Sequence, residues 1–233
     1  MDNPIKKIAV TQLVFDQTLY PRELISSVNV TRIANALATG IEIPPIVVEA
    51  KSLRIVDGVH RWKAWRKVNG DESEIPSILV KYSSEAEAFA DAVRRNCGHG
   101  MSLNPFEMNK CRIRLEELGI ESEKIAGVLL MPVEAVTKLT AAKTAFSMVG
   151  GKRVQVGIKG ALTDFRGEIL TQRQLAVNKY AGGLRPAYYV NLLIGLIRAG
   201  LVRKVNQQTL GLLGTLAEEI TAALDSLRKS KIA

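Results

Sequence analysis

Gly58 stands at a corner that leaves the surrounding chain little choice. Before it, Ile46-Val47-Val48 and Arg54-Ile55-Val56 are two apolar runs separated by a polar break, the pattern of two short strands joined by a tight turn; after it, His60-Arg61-Trp62-Lys63 opens a basic helix. A residue without a Cβ can bend sharply there and let an anion approach the backbone, and the next N–H groups lie unpaired at the positive end of the helix. Arg61 adds a planar, permanently charged donor, and His60 a second donor whose charge depends on its surroundings. Taken alone, this corner would also suit an ordinary glycine cap followed by surface basic residues. About one helix-strand-helix unit later comes a second polar corner, Asn96-Cys97-Gly98-His99-Gly100. The two together predict one phosphate-handling site built from Gly58, His60, Arg61, Asn96, His99 and Gly100.

The order of these motifs resembles a known domain. Tyr20-Pro21-Arg22, a helix ending at Gly40, Ile43-Pro44-Pro45-Ile46-Val47-Val48, Asp57 to Ala64 and Asn96 to Gly100 are similar, over residues 5–105, to the ParB/sulfiredoxin-like domain. That resemblance implies a small α/β domain binding a nucleoside triphosphate, with CTP used as a clamp switch in partition proteins; ATP and magnesium are the other cofactors to expect. Three departures bear on it. Partition proteins carry Gly-Glu-Arg-Arg where this chain has Gly58-Val59-His60-Arg61, so Arg61 is kept and phosphate contact is implied, but not the choice of CTP. They carry Glu-Asn-x-x-Arg where this chain has Arg95-Asn96-Cys97-Gly98-His99, which leaves Asn96 as the single candidate metal contact. Sulfiredoxins place their catalytic cysteine where Val59 stands, so sulfinic-acid reduction is excluded.

Charge is divided unevenly. Residues 1–140 hold 18 Lys and Arg against 18 Asp and Glu, whereas residues 141–233 hold 14 against 5 and account for the whole net charge of +9. A cationic second half predicts a polyanionic partner, double-stranded DNA, bound with a steep salt dependence through counterion release. The competing reading is a merely solvated basic surface. At 233 residues and 47% hydrophobic composition the chain is long enough for two modules with cores of their own. No run reaches the roughly 18 apolar residues of a membrane span, and the first residues lack a signal-peptide core, so a cytoplasmic, nucleoid-associated protein is expected. Cys97 and Cys111, the two cysteines, form neither a disulfide framework nor a paired metal motif.

Past Leu103 the pattern turns helical. Asn104 can cap, Pro105 suits the first helical position, and the helix runs to Leu118 before Gly119 stops it. With Ser122 as the first position, Ile125, Ala126, Leu129, Val133, Val136 and Leu139 fall where a helix-turn-helix places its packing residues; Leu130 stands where such motifs usually carry a glycine with a left-handed backbone. The second helix would then present Glu134, Thr137, Lys138 and residues 140–144 outward to a major groove, with Lys138 and Lys143 within reach of phosphates. A plain helical hairpin is the alternative. Beyond Phe146, Gly150-Gly151-Lys152-Arg153 and the glycines that follow read as a basic, flexible connection in which Lys152 and Arg153 touch DNA. Helices over 171–179 and 186–199 come next, and then a third over about 209–229. Its Leu210, Leu213, Leu216, Ile220, Ala223 and Leu227 are spaced to bury one side.

The expected fold class is thus α/β (α+β): a ParB/sulfiredoxin-like nucleotide-binding domain over 1–103, then an all-α remainder. That remainder comprises a helix-turn-helix region over 104–146 and a basic helical region over 147–233 that binds DNA or dimerises. The expected function is that of a nucleotide-regulated, homodimeric DNA-binding protein acting in partition or regulation of bacterial or mobile-element DNA, away from membranes. Two enzyme readings compete. One is a serine-type small-molecule kinase or NTP hydrolase with Asp57 or His60 as base. The other is a nuclease, for which Asp57 and Glu107 supply no two-metal carboxylate cluster.

Overall fold

The computed structural model describes residues 4–98, 101–180, 186–200 and 207–230, and of 140–142, 180, 186, 209–210 and 226–230 the backbone alone. A four-stranded sheet organises the amino-terminal part. Its strands β1 (Ile5–Ala9), β2 (Ile46–Glu49), β3 (Ile55–Asp57) and β4 (Glu74–Val80) lie in the order β1-β4-β2-β3. The β2–β4 pair is parallel and the other two pairs are antiparallel. Three helices are threaded through it: α1 (Ser27–Ala38), α2 (Val59–Asn69) and α3 (Glu85–Gly98).

Alternation along the strands sends the two sheet faces into different cores. Ile46, Val48 and Ile55 pack with Val59 and Trp62 of α2 and with Ile8, Val10, Leu13 and Ile75. Val47 and Val56 pack instead with Ala88, Phe89, Ala92 and Val93 of α3. Each large apolar side chain so buried contributes roughly 1.5–3 kcal/mol. The strand β1 ends at Ala9, and beyond it Val14 makes only an isolated bridge with Arg54. Val10 and Leu13 both enter the α2-side core, and two residues three apart in one strand would point to opposite faces. The chain therefore turns at Ala9–Gln12, where the Gln12 N–H donates to the Ala9 carbonyl at 3.0 Å.

The next helix, α4 (Pro105–Glu117), begins as its sequence dictates. Asn104 Oδ1 accepts from the N–H groups of Phe106 and Glu107 at 3.0 and 2.9 Å, while Glu107 Oε2 accepts from the Asn104 N–H at 2.9 Å. Then come α5 (Ser122–Leu129) and α6 (Val133–Lys143). Cys111, Leu115, Ile125, Ala126, Leu129 and Val136 share a single buried cluster with α3. The turn between α5 and α6 has the expected left-handed residue, and it is Leu130 itself, at φ +54° and ψ 43°. Val133, one of the expected packing positions, is instead 38% exposed.

Residues 144–157, expected to end the helix-turn-helix region at Phe146 and to continue as a flexible connection, form a hairpin of β5 (Thr144–Val149) and β6 (Lys152–Gly157). Gly150 and Gly151 make its two-residue turn with φ of +55° and +77°, as the tight turns that match strand twist require. The base of the hairpin packs in a small core of Ala145, Ile158, Leu162 and Leu170, after which α7 (Gln172–Tyr180) follows.

The chain divides into two compact units, residues 1–183 and 184–233. The second holds α8 (Pro186–Arg198) and α9 (Gln207–Ser230). On α9, Leu213 and Leu216 are half-buried and Ile220 is exposed, so the apolar side expected to be covered is covered only in part among the described residues. The side chains of Leu210 and Leu227 lie outside the described residues. No helix among the described residues is long and apolar enough to cross a membrane.

Candidate functional site

Gly58, His60, Arg61 and Asn96 line one cavity of about 440 Å3, together with Tyr20, Arg22, Asn29, Arg32, Asp57 and Arg95. His99 and Gly100, expected in the same site, lie outside the described residues. The corner at Gly58 admits no other residue: its φ is +101°, and a Cβ built there would sit 2.5 Å from Ile46 Cγ2. Neither α1 nor α2 has an acidic residue in its first turn; Asn29 of α1, whose N–H is capped by Ser26 Oγ at 3.2 Å, and Val59, His60 and Arg61 of α2, which has no side-chain cap, line the cavity.

Most of the polar side chains brace the site through bonds of their own, and Arg22 keeps a buried nitrogen unbonded among the described residues. Arg61 donates from Nη1 to the carbonyls of Pro44 and Pro45 at 2.9 and 2.7 Å and from Nη2 to Asp57 Oδ2 at 2.8 Å. It therefore pins the Pro44-Pro45 loop to the Gly58 corner instead of presenting a free fork. His60 accepts from the Ser26 N–H through Nε2 at 3.0 Å, which places its proton on Nδ1. Burial, with the Arg22 charge adding to it, holds its pKa below the ordinary value near 6.5, so the ring is a neutral link between the starts of α1 and α2. Asn96 lies in the last turns of α3, not in a loop beyond it. Its Oδ1 accepts from Arg22 Nε at 3.0 Å and its Nδ2 donates to the Ala92 carbonyl at 2.8 Å, so the amide orients Arg22.

Arg22 is the residue that sequence reasoning left out of the site. It is only 5% exposed, its Nη2 donates to the Met101 carbonyl, and its Nη1 is buried without a hydrogen-bond partner among the described residues. A buried guanidinium N–H with no partner costs several kcal/mol that a bound anion would recover. The Tyr20-Pro21-Arg22 motif was its one signal in the sequence. With Arg32, Arg61 and Arg95 also on the walls and Asp57 the single carboxylate among the described lining residues, the cavity wall carries an excess of positive charge. No group of three His, Cys, Asp or Glu placed to hold a metal occurs among the described residues.

The expected DNA-contacting residues fall on two adjacent elements. Glu134, Thr137 and Lys138 are exposed on α6, and Lys143 is half-buried at its end. Thr144, expected outward, is buried in β5, where its Oγ1 accepts from Asn109 Nδ2 at 3.3 Å and Arg112 Nη2 at 3.2 Å. Lys152 and Arg153 are exposed at the start of β6, with the Arg153 guanidinium 3.5 Å over the Phe146 ring and bonded to the Gly167 carbonyl at 3.2 Å. Glu23, next to Arg22, joins the two regions. Its N–H donates to Glu107 Oε1 at 3.0 Å and its carboxylate meets Lys159 Nζ at 2.9 Å.

No protein-family model matches the chain. It is 34% identical over 143 residues to the "Transcriptional regulator NovG" of Streptomyces niveus, covering 60% of this chain and 43% of that protein. It is 33% identical over 102 residues to a "Streptomycin biosynthesis operon possible regulatory protein" of Streptomyces griseus, covering 42% of this chain and 28% of that one. The chain thus spans less than half the length of either relative. Among solved structures it is similar to a truncated ParB of Caulobacter crescentus complexed to the centromeric parS site, at 17% identity and a TM-score of 0.43 over 57% of this chain and 69% of that one. The same ParB complexed with CTP-gamma-S matches at 16% identity and a TM-score of 0.37, over 58% and 76%. A Pnob8-like ParB-N domain matches at 14% and 0.43, over 69% and 58%. In fold and motif order the chain resembles the ParB-like proteins, and in sequence it is similar to two Streptomyces regulatory proteins.

Proposed function

We propose that this is a DNA-binding regulator whose amino-terminal cavity takes a nucleoside triphosphate and whose helix-turn-helix engages a duplex. The observation that carries the cavity reading is the buried, unpartnered Nη1 of Arg22 in a space of about 440 Å3, inside the ~300–1,000 Å3 range of small-molecule sites. Gly58 and the two helix starts would cradle the phosphates, Arg22 would pair with them, and Asn96, His60 and Arg61 would hold the cavity in shape. Magnesium, if it enters with the phosphates, would find Asp57 as its nearest lining carboxylate. The regulator names of the two relatives favour control of gene expression over partition, and a homodimer is the state in which a nucleotide would shift the grip on DNA. Glu23 would supply the route, since it follows Arg22 in the chain and is bonded through its N–H to Glu107 of α4 and through its carboxylate to Lys159 beyond the hairpin.

A phosphotransfer enzyme has less behind it. The Asp57 carboxylate is engaged by Arg61 and the His60 Nε2 by the Ser26 amide, so neither candidate base is at hand. Thermal-shift titration with CTP, ATP, GTP and UTP, with and without magnesium, tests the cavity. At least one nucleotide should raise the melting temperature saturably, and Arg22→Gln should remove that rise. No shift with any of them sinks the nucleotide reading. Anisotropy on duplex DNA across a salt series tests the other half. Expected is binding through Lys138, Lys143, Lys152 and Arg153 that weakens steeply with salt; absent or salt-independent binding sinks it.

A further inference from the structure

We propose that the β5–β6 hairpin is a wing, a rigid second DNA-contacting arm whose tip, Val149 to Lys152, enters the minor groove beside the major groove addressed by α6. This rests on the DNA-binding reading above and adds a second contact to it.

Three features point there. The first is attachment. Helix α6 ends at Lys143 and β5 starts at Thr144, with no residue between them. The junction is clamped by α4: Asn109 Nδ2 donates to the Lys143 carbonyl at 2.6 Å, and the fully buried Arg112 donates from Nη2 to Thr144 Oγ1 and to Gln155 Oε1 of β6, both at 3.2 Å. Helix and arm therefore move as one body. The second is reach. Five strand steps of ~3.3 Å put Val149 about 16 Å from Thr144. Adjacent major and minor grooves are offset by about half of the ~34 Å helical repeat, roughly 17 Å.

The third is the chemistry of the tip. Met148 and Val149 are 46% and 61% exposed, and Lys152 and Arg153 stand beside them in exposed positions. An arm that touched only phosphates would want cations alone. An apolar tip flanked by cations fits the minor groove, whose walls are sugar faces and whose rims are phosphates, and where Met-type side chains wedge. Arg153, stacked on Phe146 and bonded to Gly167, is already fixed along the arm and would lose little freedom on binding.

The test uses the full chain and a duplex selected by it from a random-sequence pool, with hydroxyl-radical footprinting to read sugar exposure in the minor groove. The wild-type chain should protect two patches, one around the α6 contact and one about half a turn away. A Val149→Ser/Lys152→Ala variant, changed only at exposed positions, should lose the second patch and keep the first. Its slope of log affinity against log salt should flatten by about one. Lys138→Ala should do the reverse to the patches. A single wild-type patch, or a tip variant with the wild-type footprint and slope, overturns the wing and leaves the DNA-binding reading standing. If no duplex can be selected at all, both fall.

Discussion

The imidazole of His60 gives its Nε2 lone pair to the Ser26 amide, so a proton added there breaks the link between the starts of α1 and α2. Its folded-state pKa lies below 6.5, the unfolded chain therefore binds more protons, and stability should be complete above pH 6.5 and fall as pH drops through and below that value. Denaturant unfolding at a series of pH values checks this, and His60→Gln should lessen the dependence. Leu130 poses a different demand. A leucine with φ +54° carries a strain of about 1–2 kcal/mol, and at 59% exposure its side chain gains little in return. Leu130→Gly should therefore raise unfolding stability by about 1 kcal/mol, a reversal of the usual cost of a glycine. Both residues could be singled out in the sequence, but their roles could not. The His60 partner is 34 positions away, and Arg61, the expected phosphate contact, is spent on Pro44, Pro45 and Asp57, whereas Arg22 keeps an unbonded nitrogen among the described residues.

Among the elements, local chemistry was legible wherever it was self-contained. The Asn104 cap of α4, the strand pair meeting at Gly58 and the paired helices α5 and α6 all follow from residues within one turn or one hairpin of each other. The hairpin β5–β6 was missed because its lysines, arginines and glycines read as loop, although Gly150-Gly151 between two equal runs is the spacing of a two-residue turn. What turns that run into strands is distant: the small core with Ile158, Leu162 and Leu170, and Arg112 behind it. Arg112 is wholly buried and bonded to Asn109, Glu116, Thr144 and Gln155. Its replacement by Met should cost about 3 kcal/mol in denaturant unfolding, since it leaves the buried Asn109 Oδ1 without its donor and removes the ties to Thr144, Gln155 and Glu116.

At the level of the whole molecule, the Gly58 cavity and the helices α4 to α6 are not separable parts. Helix α3 supplies Asn96 to the cavity and Ala88, Phe89, Ala92 and Val93 to the cluster that buries α4, α5 and α6. A fragment ending at residue 103 would expose the α3 side of that cluster and should be unfolded or aggregated by circular dichroism, whereas one ending at 183 should melt in a single cooperative transition. The uneven charge was legible in the sequence; that its basic residues include a hairpin built directly onto α6 was not. The seamless passage from α6 into β5 also limits how the chain can vary. One residue inserted or removed at that root would turn every β5 side chain to the opposite face, putting Ala145 outside and Phe146 in its place. Length differences among descendants of this sequence should accordingly collect at the Gly150-Gly151 end of the arm and be missing from its root.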